Sequence, residues 1–386
     1  MTRDSVRRAA AQAALVLLAA LVSAPLFYLL AGRPASDLSI HATWAAEGDF
    51  SDLTSFFHHG AHPMWHVLVA LVMLAGVPLA PAAAGVTALL KAAEVWLIYR
   101  LLDRRLGGRM RPEAVAALAF ALGMAASLLT PLNPAVYAGV GSPNTWHSPT
   151  QLIAMVWMLL CVPYTARCFD RYGAPGTPLP WREGAALGLM LLCSLAAKPT
   201  FMQVFLPAAC LFFLYHWIGH PGRSRCFLRL IACVLPAVAL MILQYMYYFG
   251  IIVPSQGDMV LEISLEKLGR VALSTLLIQA FPLYVAVAYR REKGDTLYAL
   301  ALVMDAVGVL EYLLLGENGR RAADGNFGWG MMGAALLMWV VAAARFFDAR
   351  EAAGRLRRAA GLGLLTWHVA SGAYYVFYLY TSGAVL

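Results

Sequence analysis

Charge is what this sequence is short of. Only 13% of its 386 residues are Asp, Glu, Lys or Arg, where a soluble domain carries about a quarter. With 61% hydrophobic residues, that scarcity excludes an ordinary water-soluble protein. Cysteine is also sparse. Cys161, Cys168, Cys193, Cys210, Cys226 and Cys233 fall in apolar stretches or beside basic loops, without metal-type spacing. They supply neither a disulfide framework nor a zinc site. Internal repeats, a soluble domain and a long linker are missing as well. The excess of positive charge, +8, could suggest nucleic acid or acidic lipid. The Lys and Arg residues cluster in short loops, however, as the positive-inside rule predicts. No nucleic-acid partner is expected.

What is present is a series of apolar stretches of about 20 residues, which read as transmembrane helices because a helix satisfies its own backbone in lipid. The fold expected is all-α and polytopic, a single transmembrane domain over 1–386. The apolar run near the N-terminus, about 11–32, exceeds the ~7–15 residues of a signal-peptide core and reads as an uncleaved first span. Basic loops at 99–111, 219–229, 289–293 and 345–358, with Arg3, Arg7 and Arg8, are assigned to the cytoplasm. Parity then favours one true span at about 81–102, with 63–79 as a juxtamembrane or re-entrant helix in the first outer loop, 33–80. The other spans are expected near 113–131, 149–168, 184–197, 200–218, 230–250, 270–288, 296–315, 329–346 and 359–381. That makes about eleven, with the N-terminus inside and the C-terminus outside.

This topology sends most polar residues to the outer face. The first outer loop carries Asp37, His41, Asp49, His58, His59, His62 and His66. Asp37 and His41, four residues apart, share a helix face. The histidines suit metal ligation, hydrogen bonding in a site, or a polar membrane interface, and all three readings stay open. A carboxylate just past the end of a span can act on a lipid-borne substrate; Asp37 also suits the N-cap of a helix starting at Leu38.

The stretch SPNTWHSPT precedes the span at 149. Ser148 as N-cap and Pro149 as first helical residue explain its SPT. Asn144, Trp146 and His147 form a sugar-contacting set, with hydrogen bonds to hydroxyls and stacking on the ring. Trp also anchors at interfaces for no functional reason. Lys198, before Pro199 at an outer turn, is a phosphate partner or a snorkelling cation. The loop GENGRRAADGNFGWG, within 316–330, sets Arg320, Arg321, Asn326 and Trp329 outside. Arginines there run against the positive-inside trend and suit bidentate phosphate binding. Lys91 and Glu94 are spaced to pair with each other, while Asp305 and Glu311 stay unassigned.

In layout, the chain resembles the GT-C glycosyltransferases, membrane enzymes that use polyprenyl-phosphate sugars. The resemblance is carried by the early Asp in SDLSIHATWA, the AHPMWHVLVALVML segment, the basic turn LIYRLLDRRLGG, and the SPNTWHSPT, AAKPTF and ENGRRAADGNFGWG patches. It implies a GT-C-like fold in a bacterial inner membrane, with the active site on the outer face. Asp37 would be the general base. His41, Asp49, His62, His66, Asn144, Trp146, His147, Asn326 and Trp329 would line the substrate site. Lys198, Arg320 and Arg321 would hold the phosphate. The donor would be a polyprenyl-phosphate-linked sugar and the acceptor a glycan or lipid-linked hydroxyl. Two features depart from the family. Asp37 stands alone where many relatives carry an acidic pair, and no soluble C-terminal domain is expected. Acceptor and metal use are therefore open, a divalent cation being the one cofactor kept in view. The competing expectations are a transporter or flippase of a lipid-linked or anionic solute, and an oligosaccharide ligase or polymerase.

Overall fold

The computed structural model describes residues 3–34, 36–132, 142–248, 258–290, 295–319, 325–349 and 354–382. Long apolar stretches with few helix breakers form thirteen α-helices among these residues. They are α1 (Arg3–Ala31), α2 (Asp37–Ala46), α3 (Met64–Leu74), α4 (Leu79–Leu106), α5 (Pro112–Leu122) and α6 (Pro149–Tyr172). Then follow α7 (Trp181–Ala197), α8 (Thr200–Gly219), α9 (Ser224–Tyr248), α10 (Leu265–Ala288), α11 (Thr296–Leu314), α12 (Gly328–Ala349) and α13 (Arg355–Thr381). Two short strands, β1 (Met259–Leu261) and β2 (Leu315–Glu317), pair antiparallel. The protein is an all-α polytopic membrane protein. Among the described residues, eight helices are long and apolar enough to cross a bilayer, namely α1, α4, α6, α8, α9 with its lead-in from Pro221, α10, α11 and α12.

Three of the eleven expected spans, at 113–131, 184–197 and 359–381, are not among these eight, and the helix expected at 63–79 as juxtamembrane or re-entrant is short. Helix α3 has 11 residues, about 16 Å, half of a ~30 Å hydrocarbon core. It ends in a turn through Gly76, whose φ of 84° suits glycine. Helix α5, expected to run to 131, stops at Leu122. At Gly123 a Cβ would stand 2.7 Å from Val95 of α4. The chain beyond it is irregular, and α13 satisfies its backbone. The Ala126 amide donates to the His368 carbonyl at 3.1 Å, and Ala126 O meets His368 Nδ1 at 2.6 Å. Irregular backbone at membrane depth is tolerated when protein covers it in this way. The crossing is so close that a Cβ at Gly372 would fall 1.5 Å from Met124 O. Helix α7 has 17 residues, about 25 Å. Helix α13 is long enough at 27 residues, but Arg, Ser and Gly dilute its apolar character.

Helix α12 is the hub. It is buried along nearly its whole length and packs on α4, α6, α8, α10 and α11. Its glycines permit close approach, since a Cβ at Gly330 would lie 2.4 Å from Val204 of α8. A second apolar cluster joins the C-terminal part of α1 to α2, α3 and the start of α4.

Candidate active site

Ser36, not Asp37, caps α2. Its backbone is extended and its hydroxyl accepts from the Ser39 amide at 3.0 Å. Asp37 is therefore the first helical residue, and its carboxylate is left available beside the positive end of the helix. One turn on, His41 Nε2 lies 3.5 Å from Asp37 Oδ1. Behind it, His41 Nδ1 and His66 Nε2 are 2.9 Å apart. With Asp37 ionised, His41 turns a protonated Nε2 toward it. His41 Nδ1 then accepts from His66 Nε2–H, and the network assigns both tautomers. His66 does not line the cavity as expected. It is buried behind His41 because α3 packs against α2.

Six other segments deliver side chains to the same region. Pro199 forces the residue before it into extended backbone, and Lys198 has φ −173° and ψ 135°. The turn between α7 and α8 thus sends the Lys198 ammonium over the Trp329 ring, 4.3 Å from its centroid. Trp329 lies at the start of α12, held by Gln151 Nε2, which donates to its carbonyl at 3.0 Å. Thr200 Oγ1 donates to Gln151 Oε1 at 2.9 Å. His147, just before α6, stands 5.5 Å from Trp329 ring to ring. His62 meets the Tyr248 hydroxyl from the end of α9. The β1–β2 pair sets Glu317 beside Asn326, whose amide donates to it at 2.6 Å.

A cavity of about 390 Å³ opens among these segments. Asp37, His41, His62, Lys198, Asn326 and Trp329 all line it. So do Trp44, His59, Ser148, Thr200, Gln203 and Tyr248, which sequence reasoning left out of the site. Trp44 and His59 stack at 4.9 Å and form an aromatic wall. The sequence signal for Glu317 and Ser148 was present in the quoted patches. Tyr248, a tyrosine at a span end, carried none.

The electrostatics separate the roles. Burial alone would raise Asp37, but His41, His147, Lys198 and the Ser148 hydroxyl outweigh it and hold the carboxyl below its ordinary value. Burial pushes His41 down to about 4, against the pull of Asp37 and with the help of Lys198. Burial lowers His147 as well. At neutral pH both imidazoles are neutral, Asp37 is a carboxylate, and Lys198 is the cation that faces it.

Three residues expected in the site lie elsewhere. Asp49 is in an exposed turn, where its carboxylate accepts from the Ser51 amide and hydroxyl, each at 2.8 Å. Asn144 accepts at 2.9 Å from Lys91 Nζ, which also donates to Glu94 at 2.5 Å, and Asn144 Nδ2 donates to the Leu122 and Ala125 carbonyls. Trp146 covers the same ammonium at 4.6 Å. Asn144 and Trp146 thus anchor the 142–148 segment to α4 and leave Ser148 on the cavity wall, while His147, expected in the substrate site, is buried beside Trp329 and does not line the cavity. Arg320 and Arg321 fall outside the described residues.

An apolar pocket of about 280 Å³ adjoins the cavity and shares Pro199, Gln203, Tyr248 and Phe327 with it. Met241, Ile242, Tyr245 and Glu311 extend it along α9 and α11. Among the described residues, no group of three or more His, Cys, Asp or Glu side chains could hold a metal ion. No family model matches the chain, and no curated protein is matched by it.

Proposed function

We propose that this chain is a GT-C-like glycosyltransferase that moves a sugar from a polyprenyl phosphate to a hydroxyl acceptor at the outer face of the membrane. One observation carries the reading. A carboxylate and an ammonium, Asp37 and Lys198, share a polar cavity that continues into an apolar pocket beside the apolar surfaces of α8 and α9. That combination fits a phosphosugar head with a hydrocarbon tail. Trp44 and Trp329 offer faces for a sugar ring.

In the transfer step the acceptor oxygen attacks the anomeric carbon. The bond from that carbon to the phosphate oxygen breaks, and the electron pair leaves with the phosphate. Asp37 takes the acceptor proton, and Lys198 stabilises the charge that grows on the leaving group. His41, held by His66, orients the carboxylate. Substrate also tunes the base, because a donor phosphate that engages Lys198 adds negative charge near Asp37 and raises its proton affinity. Arg320 and Arg321 would add phosphate donors from the 316–330 loop. Tail contacts in the apolar pocket help to position the reacting carbon.

Asp37→Asn tests the proposal. The expected loss is ~10²–10⁴ in turnover, the range for a general base, with donor binding kept or tightened because a carboxylate facing the phosphate is gone. Full turnover by this variant refutes the assignment. Solute uptake into proteoliposomes with no covalent product would favour the transporter reading instead. Products extended by a whole oligosaccharide would favour a ligase.

A further inference from the structure

A second and larger cavity, about 690 Å³, lies at the other end of the helices. Its walls are the C-terminal turns of α4, α6 and α12 and the first turn of α11. From Ser148 to Arg167 along α6 is roughly 28 Å at 1.5 Å per residue, so this cavity is remote from Asp37. Five arginines and three aspartates line it.

The aspartates are engaged. Asp295 caps α11 by accepting from the Tyr298 amide at 2.7 Å, and it also pairs with Arg105. Asp348 pairs with Arg105 at 3.1 Å and with Arg109 at 2.5 Å. Asp170 accepts from the Thr296 hydroxyl. Arg345 is buried, lies 4.3 Å over the Tyr298 ring, and donates to the Tyr289 carbonyl at 2.8 Å. That leaves Arg104, Arg171 and Arg167, the last lying 4.6 Å over the Tyr164 ring but without a hydrogen-bonding anion. Among the described residues no carboxylate lies within ion-pair distance of any of them. Three helix C-termini offset part of this charge, and the Asp348 carbonyl at the end of α12 accepts from Arg109 at 2.7 Å. Deeper in the cavity the surface is apolar, with Leu101, Pro163, Leu297, Val340 and Ala344.

We propose that this cavity is an anion site for a phosphate-bearing ligand. Arg104, Arg167 and Arg171 grip the phosphate oxygens, and any apolar portion lies on the Leu101–Val340 floor. Planar guanidiniums bind phosphate bidentately. The ligand chemistry is a phosphate monoester or diphosphate, supplied by an anionic lipid headgroup or by a soluble phosphate compound. The site does not depend on the transferase reading.

The test uses the full-length purified protein in phosphate-free detergent buffer, followed by native mass spectrometry. The probes are dihexanoyl phosphatidic acid, inorganic diphosphate and, as a zwitterionic control, dihexanoyl phosphatidylcholine. Wild type is expected to hold at least one of the two anionic probes in preference to phosphatidylcholine. Affinity falls tenfold or more in Arg104→Gln/Arg167→Gln/Arg171→Gln. It stays unchanged in Arg355→Gln/Arg357→Gln/Arg358→Gln, which removes the same charge at the start of α13. Retention of phosphatidic acid without diphosphate assigns the lipid source, and the reverse assigns a soluble one. Should the triple variant fail to fold, Arg167→Gln alone is expected to weaken binding several-fold. Equal weakening in both triple variants, unchanged binding in the pocket variants, or no binding by wild type overturns the proposal.

Discussion

Replacing His41 with glutamine changes how the protein responds to acid. The side chain is 9% exposed, and burial holds its pKa at about 4 against an ordinary 6.5. As pH falls below 6.5 the unfolded chain takes up a proton at this position and the native state does not. Stability therefore drops with falling pH until the native pKa is reached. At 1.36 kcal/mol per pH unit, the descent from 6.5 to 4 removes about 3 kcal/mol, or roughly 6 °C at ~2 °C per kcal/mol. Glutamine can still donate to Asp37 and accept from His66, so the contacts remain while the titration disappears. Thermal unfolding in detergent between pH 7 and 4 is the assay. His41→Gln is expected to lose several degrees less than wild type over that interval. His147 and His66 continue to contribute acid sensitivity in both proteins, so the comparison rests on the difference. Equal acid sensitivity in the two proteins would refute the assigned burial and tautomers.

Three further outcomes are expected. Lys198→Met weakens donor binding about 10–100-fold, the range for one charge-assisted hydrogen bond to phosphate, while Lys198→Arg retains much of it; titration of the donor analogue reads this directly. Gly372→Ala brings a methyl group onto the Met124 carbonyl and lowers stability by ~1–3 kcal/mol or more, and an unaltered melting temperature would contradict the close crossing. Lys91→Met leaves Glu94 buried without its ammonium and destabilises by ~3–5 kcal/mol. Adding Glu94→Met recovers most of that loss, and a double variant as unstable as the single one would contradict the pairing.

Local features of the site could be read directly from residue order. The Asp37–His41 spacing places both on one face of a helix, Ser148 and Pro149 start a helix, and Pro199 sets the backbone of Lys198. Each depends only on neighbours within a turn. Features that depend on distant contacts could not be read. Asn144 and Trp146 carry the same chemistry whether they face a sugar or a buried ammonium, and Lys91, 53 positions earlier, makes the difference. The Lys91–Glu94 spacing was visible, but its third partner was not. The early end of α5 follows from its contacts with α4 and α13, and nothing in its own apolar composition marks it. Hydropathy likewise reported that 63–79 is apolar without reporting that the helix there stops after 11 residues. His66 looked like its neighbours in a histidine-rich loop, and only the packing of α3 on α2 turns it away from the cavity.

The most direct test of sugar transfer at the Asp37 cavity is mass spectrometry of envelope glycans from cells lacking the gene, complemented with wild type or with Asp37→Asn at equal expression. One sugar mass should be missing without the gene, return with wild type, and stay missing with Asp37→Asn. A glycan profile that the asparagine variant restores in full would contradict the account.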